Sequence, residues 1–206
     1  MKFYSYINET NDTDKIIDIM IKKCKPFLNE IKNIPDVLDG KYYLYSGRDK
    51  NDKYFTQKIR KDRQPLSTPK EVHDFLDKHF QKIYGIKLRS NSLFCTLNRS
   101  DASSYGSTYI IFPIGKYKIF FNPNVLDMVY ALLDITGKAP VSIKKEDVEK
   151  HEDEIIDVVQ GYIEGVPSIY TDAEIMLYGS EYLAIDHSFW VNNNMDDKLN
   201  GILRTV

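Results

Sequence analysis

The sequence predicts an α+β fold, in which helical and strand segments follow one another without strict alternation. Two observations support this prediction. Apolar residues recur every three or four positions in several segments, and short runs rich in aromatic and β-branched residues lie between and after them. A doubly wound parallel sheet would require strands and helices to alternate more regularly.

The first predicted element is an amphipathic helix over residues 13–33. Pro35 ends it, and Asp39-Gly40 marks a turn. Residues 41–48, KYYLYSGR, then read as a short strand that stops at Gly47.

A polar, charge-dense loop over 49–66 precedes the clearest local signal in the chain. Thr68-Pro69-Lys70-Glu71 has the form of a capping box, with proline at the first helical position. The helix that it opens has one apolar face and ends at Gly85.

The remainder of the chain alternates between strand and helix signals. Strands are predicted at 93–97, 108–114 and 117–121, 174–178 and 182–186. Gly115-Lys116 and Gly179-Ser180 are expected to turn the chain between neighbouring strands. Helices are predicted from 125 to Gly137 and from about Ser142 to Ile163.

Length and composition indicate one globular domain over 1–206. The chain has 206 residues, 42% of them hydrophobic and 13% aromatic, which is unlike a disordered chain. We expect an N-terminal helical part at 1–40, an α+β core at 41–190 and a loose, polar tail at 191–206.

The net charge and the cysteine content limit the binding partners and the cellular location that we expect. The net charge of −2 gives no bulk attraction to nucleic acid or to an anionic membrane. With two cysteines, a polar N-terminus that lacks a signal-peptide core and no apolar run near ~20 residues, the expectation is a cytoplasmic protein without membrane contact.

The sequence lacks the motifs of several common kinds of functional site. The four histidines do not form an HExxH pair and no paired CxxC occurs, so we expect no metal site. No phosphate-binding glycine loop is present. Cys95 lies within an apolar strand, where a cysteine more often packs than reacts.

Two local patterns remain as candidates. Arg60, Lys61 and Arg63 form a basic cluster that could bind a nucleotide or nucleic acid, although such runs are more often solvated loops. Asp172 and Glu174 are two residues apart at the mouth of a strand, so alternation places both carboxylates on one face. Paired carboxylates can divide catalytic roles, but an acidic turn would give the same pattern.

The segment Asp172-Ala173-Glu174-Ile175-Met176-Leu177, followed by Gly179 and Tyr182-Leu183-Ala184-Ile185, resembles the last catalytic segment of the arginine-type ADP-ribosyltransferases. This resemblance implies a split β-sheet core and the use of NAD. It assigns to Glu174 the catalytic role of holding a ribose hydroxyl and stabilising the oxocarbenium-like transition state. Asp172 would then tune the acceptor.

Two more segments resemble the family in the same order, and the stretch from Arg60 through Arg89-Ser90 resembles a set of bacteriophage proteins with this layout. Tyr43-Leu44-Tyr45-Ser46-Gly47 is similar to the first family strand, although Ser46 stands where the family has the arginine that grips NAD. Arg48, on the same strand face, substitutes for it only if the strand continues past Gly47. Leu93-Phe94-Cys95-Thr96-Leu97 resembles the middle Ser-Thr-Ser strand, with Thr96 as its matching residue.

Three functions are consistent with these patterns. The first is a bacteriophage ADP-ribosyltransferase that acts in host takeover or counter-defence. The second is a catalytically inactive relative that binds and neutralises a host defence protein, such as an ADP-ribosylating toxin. The third is a nucleotide- or nucleic-acid-binding module that uses Arg60, Lys61 and Arg63.

Overall fold

A computed structural model describes residues 2–34, 37, 42–65, 68–167 and 171–205, with side chains from residue 12 onward. The chain divides into two compact units. The first unit contains residues 1–58, 97–117 and 179–206, and the second contains 59–96 and 118–178. Each unit therefore contains both segments predicted as strands and segments predicted as helices.

The strands form an open antiparallel sheet of six strands in the described part of the chain, which confirms the α+β class. The order is β1-β4-β6-β2, with β3 also paired to β6 and β5 to β4. The strands are β1 (Tyr45–Arg48), β2 (Tyr54–Lys58), β3 (Ser92–Cys95), β4 (Ser107–Phe121), β5 (Ile163–Glu164) and β6 (Ile175–Asp186).

Helices lie before, between and after these strands. They are α1 (Lys2–Lys23), α2 (Lys25–Ile31), α3 (Lys70–Tyr84), α4 (Leu88–Asn91), α5 (Arg99–Ser103), α6 (Met128–Thr136), α7 (Lys145–Lys150), α8 (Glu152–Gln160), α9 (His187–Asn192) and α10 (Met195–Leu203). A short 3₁₀ turn covers Pro140–Ser142. Within the described residues, no helix has the length and apolar character that crossing a bilayer requires.

The first unit packs around aromatic rings on β4 and the C-terminal helices. Phe112 on β4 lies 6.0 Å from the Phe27 ring of α2 and stacks at 5.6 Å on Trp190 of α9, measured between ring centroids. The Trp190 indole N–H donates to Asp196 Oδ1 at 3.0 Å, and the Tyr43 hydroxyl donates to the same carboxylate oxygen. This network fixes α9 and the start of α10 to the unit.

The second unit packs α3 against α6–α8 and the sheet. Its buried core includes Val72, Leu76 and Phe80 from α3, Met128 and Leu132 from α6, Ile155 and Val159 from α8, and Phe120 and Met176 from the sheet. The Tyr84 hydroxyl, at the end of α3, lies 2.8 Å from the Val159 carbonyl oxygen and 2.6 Å from that of Tyr162, and its one proton is shared between these acceptors. These contacts satisfy carbonyl groups left over where α8 ends.

The tail from 191 is not loose, contrary to the sequence prediction. It forms α10, which buries Met195, Leu199, Ile202 and Leu203. These positions follow helical spacing, but the polar residues between them make the apolar stripe inconspicuous in the sequence.

Two predicted turns between strands are also wrong. Gly115 has a left-handed φ of 70°, yet β4 runs without reversal from Ser107 to Phe121. Likewise β6 passes through Gly179-Ser180 as one strand of 12 residues. Glycine within a strand can mark a bend instead of a hairpin, and the local sequence does not distinguish the two.

The helix boundaries differ from the predictions in several places. The helix expected at 13–33 starts at Lys2 and breaks at Cys24, after which Pro26 occupies the first turn of α2. The helix expected to begin with the Thr68 capping box starts at Lys70 and has Pro69 at its cap position, whereas its end at Gly85, with φ 72°, confirms the prediction. Pro35 and the Asp39-Gly40 turn lie outside the described residues.

The charged helix expected between Ser142 and Ile163 is divided into α7 and α8. Ile163, which was expected on its apolar face, instead belongs to β5 and is 49% exposed.

Candidate functional site

The residues that the sequence singled out fall in both units. Ser46 and Arg48 belong to the first unit, and Thr96, Asp172 and Glu174 belong to the second. Each set is therefore described within its own unit.

Glu174 lies directly before β6 and is held from both its backbone and its side chain. Its backbone N–H donates to the Leu126 carbonyl oxygen at 2.7 Å. Its Oε1 accepts from Arg89 Nη1 at 3.0 Å, and the side chains of Glu174 and Arg89 are 13% and 7% exposed. The predicted catalytic carboxylate is thus half of a nearly buried ion pair.

Asp77 fixes the position of Arg89. This α3 side chain accepts from the backbone N–H of Arg89 at 2.8 Å and from that of Ser90 at 3.1 Å, and the Ser90 hydroxyl donates to it as well. His73, one turn earlier on α3, places its Nε2 3.0 Å from the same hydroxyl oxygen. These bonds anchor α4 on α3, so the Arg89 side chain starts from a fixed backbone.

Arg63 joins the same group of residues. Its backbone N–H donates to the Ser90 carbonyl oxygen at 3.0 Å, and its guanidinium lies 3.8 Å from the centre of the Phe94 ring. The Arg89 guanidinium is 5.1 Å from the centre of that ring. Both guanidinium groups therefore make cation–π contacts with the ring of Phe94 on β3. We call Glu174, Arg89, Arg63 and Phe94 the Glu174 cluster.

Burial sets the electrostatics of the Glu174 cluster. Desolvation raises the pKa of Glu174 to about 7, while Arg89 opposes the rise, Asp127 adds to it and Arg63 opposes it. Burial also raises the pKa of the Tyr162 hydroxyl, and the Glu174 charge adds to that effect. At neutral pH Glu174 is thus divided between its neutral and ionised forms, beside an arginine that stays charged.

One buried N–H group of this cluster has no hydrogen-bond acceptor. Among the described residues, Arg89 Nε is buried and has no hydrogen-bond partner, although Nη1 of the same group is bonded to Glu174. An unpaired buried donor costs about 1–3 kcal/mol, so it is normally retained for a reason. An oxyanion is the chemical group that a second arginine N–H, with Arg63 nearby, accommodates best.

Two further predicted residues, Asp172 and Thr96, also belong to the second unit. Asp172 is exposed, and Thr96 is half-buried directly after β3. Lys61 places its Nζ 4.2 Å from the centre of the Tyr178 ring, while Arg60 is 62% exposed and pairs with Asp62 at 3.6 Å. Of the predicted basic residues, Arg63 thus contributes its guanidinium to the Glu174 cluster, whereas Lys61 contacts the Tyr178 ring.

In the first unit, β1 continues through Arg48, which meets the condition for Arg48 to substitute for the missing arginine. Ser46 pairs with Tyr109 and Arg48 with Ser107 on β4. The Arg48 guanidinium lies 5.6 Å from the centre of the Tyr182 ring. Arg48 is thus held against the sheet by an aromatic contact.

Neither cysteine nor metal chemistry is indicated in the described part of the chain. Cys24 and Cys95 are both buried, and neither forms a disulfide. Burial raises the pKa of Cys24 to about 12, which suppresses the thiolate that nucleophilic attack requires. The described residues contain no group of three side chains arranged to hold a metal ion.

No protein-family model, curated protein or solved structure matches this chain. The function proposed for this chain consequently rests on its own geometry. That geometry adds Arg89, Asp77 and Phe94, which sequence reasoning missed. In the sequence, Arg89 was included only in the stretch that resembles bacteriophage proteins, and that resemblance assigned it no role.

Proposed function

We propose that this chain is an ADP-ribosyltransferase-like protein that uses NAD, with Glu174 as its catalytic carboxylate. The observation that carries the proposal is the Glu174 cluster itself. It places the carboxylate implied by the resemblance beside two arginines, one of which has an unpaired buried donor. The proposed setting is host takeover or counter-defence by a bacteriophage.

The residues of the Glu174 cluster fit a dinucleotide by charge. Arg63 and Arg89 would hold phosphate oxygens, since a guanidinium group can donate two parallel hydrogen bonds to one phosphate group. When bound, NAD supplies an ADP-ribosyl group whose glycosidic bond to nicotinamide breaks as the bond to the acceptor forms. Glu174 would accept a hydrogen bond from a ribose hydroxyl and stabilise positive charge on the sugar.

Glu174 performs this role only when ionised. Because its pKa is about 7, the ionised fraction rises as the pH increases through neutrality. We expect the activity to rise over the same range. We propose that Asp172, whose side chain is exposed, contacts the acceptor.

One observation favours the second function, a non-catalytic binding protein. Arg89 already occupies one oxygen of the Glu174 carboxylate, and the side chain is only 13% exposed. A structural ion pair would have the same geometry. In that case NAD would not bind and Glu174 would serve stability alone.

Calorimetry with NAD, together with chromatographic detection of released nicotinamide, separates the two functions. We expect the wild-type chain to bind NAD and to hydrolyse it slowly. In this reaction water accepts the ADP-ribosyl group and nicotinamide is released. Arg63→Gln should weaken binding, and Glu174→Gln should reduce release by about 100-fold or more while leaving binding measurable.

Glu71→Gln, an exposed carboxylate change on α3, is the matched control and should behave as the wild type. Absence of binding at millimolar NAD would refute the enzymatic proposal and favour the binding protein. Undiminished nicotinamide release by Glu174→Gln would refute the role of Glu174.

A further inference from the structure

The first unit contains an open polar pocket of about 390 Å³ that no part of the proposed function uses. Its wall combines one arginine, one histidine and one carboxylate with five serine or threonine side chains. The lining includes Arg99, Ser103, Thr108, Asp186, His187 and Ser188. We call this cavity the Arg99 pocket.

Arg99 and His187 are close enough to share one bound group. Arg99 Nη1 lies 3.4 Å from His187 Nε2. Because arginine can only donate, this contact is a hydrogen bond when His187 is neutral with its proton on Nδ1, so that Nε2 accepts. Burial and then Arg99 lower the pKa of His187, against the opposite effects of Asp186 and Asp196, and the Tyr45 ring lies 6.1 Å from the imidazole.

We propose that the Arg99 pocket binds a sugar phosphate, with the phosphate between Arg99 and His187 and the sugar hydroxyls towards Asp186. Arg99 gives a permanent charge for phosphate oxygens. The hydroxyls of Thr108 and Ser188 can each donate one hydrogen bond to the ligand.

Asp186 selects the sugar part of the ligand. Its Oδ1 accepts from the Phe189 backbone N–H at 2.9 Å, which holds the carboxylate in place on the pocket wall. A carboxylate repels a bare oxyanion but accepts hydrogen bonds from hydroxyl groups. The pocket volume lies within the range of about 300–1,000 Å³ that is usual for small-molecule sites.

The test is calorimetry on the full chain with ribose 5-phosphate, inorganic phosphate and ribose as separate probes. We expect ribose 5-phosphate to bind at least about tenfold more tightly than either of the other two. Arg99→Gln should weaken that binding by about tenfold or more, whereas Arg204→Gln, a matched change at an exposed arginine of the same unit, should leave it unchanged.

His187→Gln gives a readout that a merely structural role would not change. The ratio of its Kd to that of the wild type should increase as the pH falls, since protonated His187 adds a second positive charge at the phosphate. The ratio cancels the protonation of the ligand itself.

Equal affinity for inorganic phosphate and ribose 5-phosphate would overturn the proposal, because the site would then recognise an oxyanion only. No heat with about 5 mM ribose 5-phosphate would also overturn it. NAD binding at the Glu174 cluster is measured separately, so either proposal can fail without the other.

Discussion

The Glu174 cluster and the Arg99 pocket both place an arginine near a carboxylate, but they differ in exposure. In the second unit, Arg89 and Glu174 are nearly buried and bonded directly at 3.0 Å. In the first unit, Arg99 is exposed, contacts a histidine, and shares its pocket with an Asp186 that caps α9. The same residue types therefore operate in a low-dielectric interior in one region and beside solvent in the other.

This difference determines what each arginine does for the fold. A buried charge depends on its partner, because removing the partner leaves the charge uncompensated away from water. An exposed charge is hydrated and screened, so its loss changes stability little. Arg89 should thus be required for folding and Arg99 for ligand binding alone.

The largest expected effect follows from truncating Arg89. Arg89→Ala should lower the free energy of unfolding by about 3–5 kcal/mol at pH 8, where Glu174 is ionised and would lose its partner. Arg99→Ala should change the same free energy by no more than about 0.5 kcal/mol. Urea unfolding followed by circular dichroism measures both.

A paired variant distinguishes a lost ion pair from lost packing. Arg89→Met combined with Glu174→Met removes both charges and should recover much of the stability that Arg89→Ala loses. If Arg89→Ala and Arg99→Ala instead lower the free energy of unfolding equally, burial does not explain the difference between the two regions.

The second effect is the pH dependence that Glu174 gives to stability. Its pKa rises from 4.5 to about 7 on folding, so the folded state keeps a proton that the unfolded state has released. This contribution is complete below the unfolded pKa and is lost as the pH rises through about 7.

Over the range from about pH 5 to pH 8, the wild type should therefore lose about 3 kcal/mol relative to Glu174→Gln. Urea unfolding of both proteins across this range measures the difference. Parallel curves would mean that Glu174 titrates as it does in the unfolded chain, and the electrostatic contrast between the two regions would disappear.

Local sequence signals predicted the elements but not their associations. The α+β class and the end of α3 at Gly85 are determined by nearby residues, and both are confirmed. The hairpin at Gly115-Lys116 was wrong because a glycine with positive φ can also bend a continuing strand. The missed helix α10 has an apolar stripe that becomes evident only when burial is known.

The candidate site was predictable only in part, for a related reason. Glu174 and Arg63 were each noticed, but nothing in the sequence linked residues that are more than 100 positions apart. Their proximity depends on the β3–β6 pairing, which aligns Phe94 with Met176, and on Asp77, which anchors α4. Contacts of this kind come from tertiary packing, so propensity and periodicity do not contain them.

The smallest expected effect concerns the wall of the Arg99 pocket. A Cβ on Gly47 of β1 would collide with the Ala102 carbonyl oxygen of α5 and lie 2.8 Å from Tyr105 Cβ, so the backbone of α5 would have to move. Gly47→Ala should cost about 1–3 kcal/mol and, because α5 carries Arg99 and Ser103, should also weaken ribose 5-phosphate binding. Gly201→Ala is the matched control, since a Cβ there meets open space within α10 and should stabilise the chain by about 0.5–1 kcal/mol. Thermal unfolding and calorimetry on both variants measure these effects, and full-strength binding by Gly47→Ala would mean that the pocket does not depend on the position of α5.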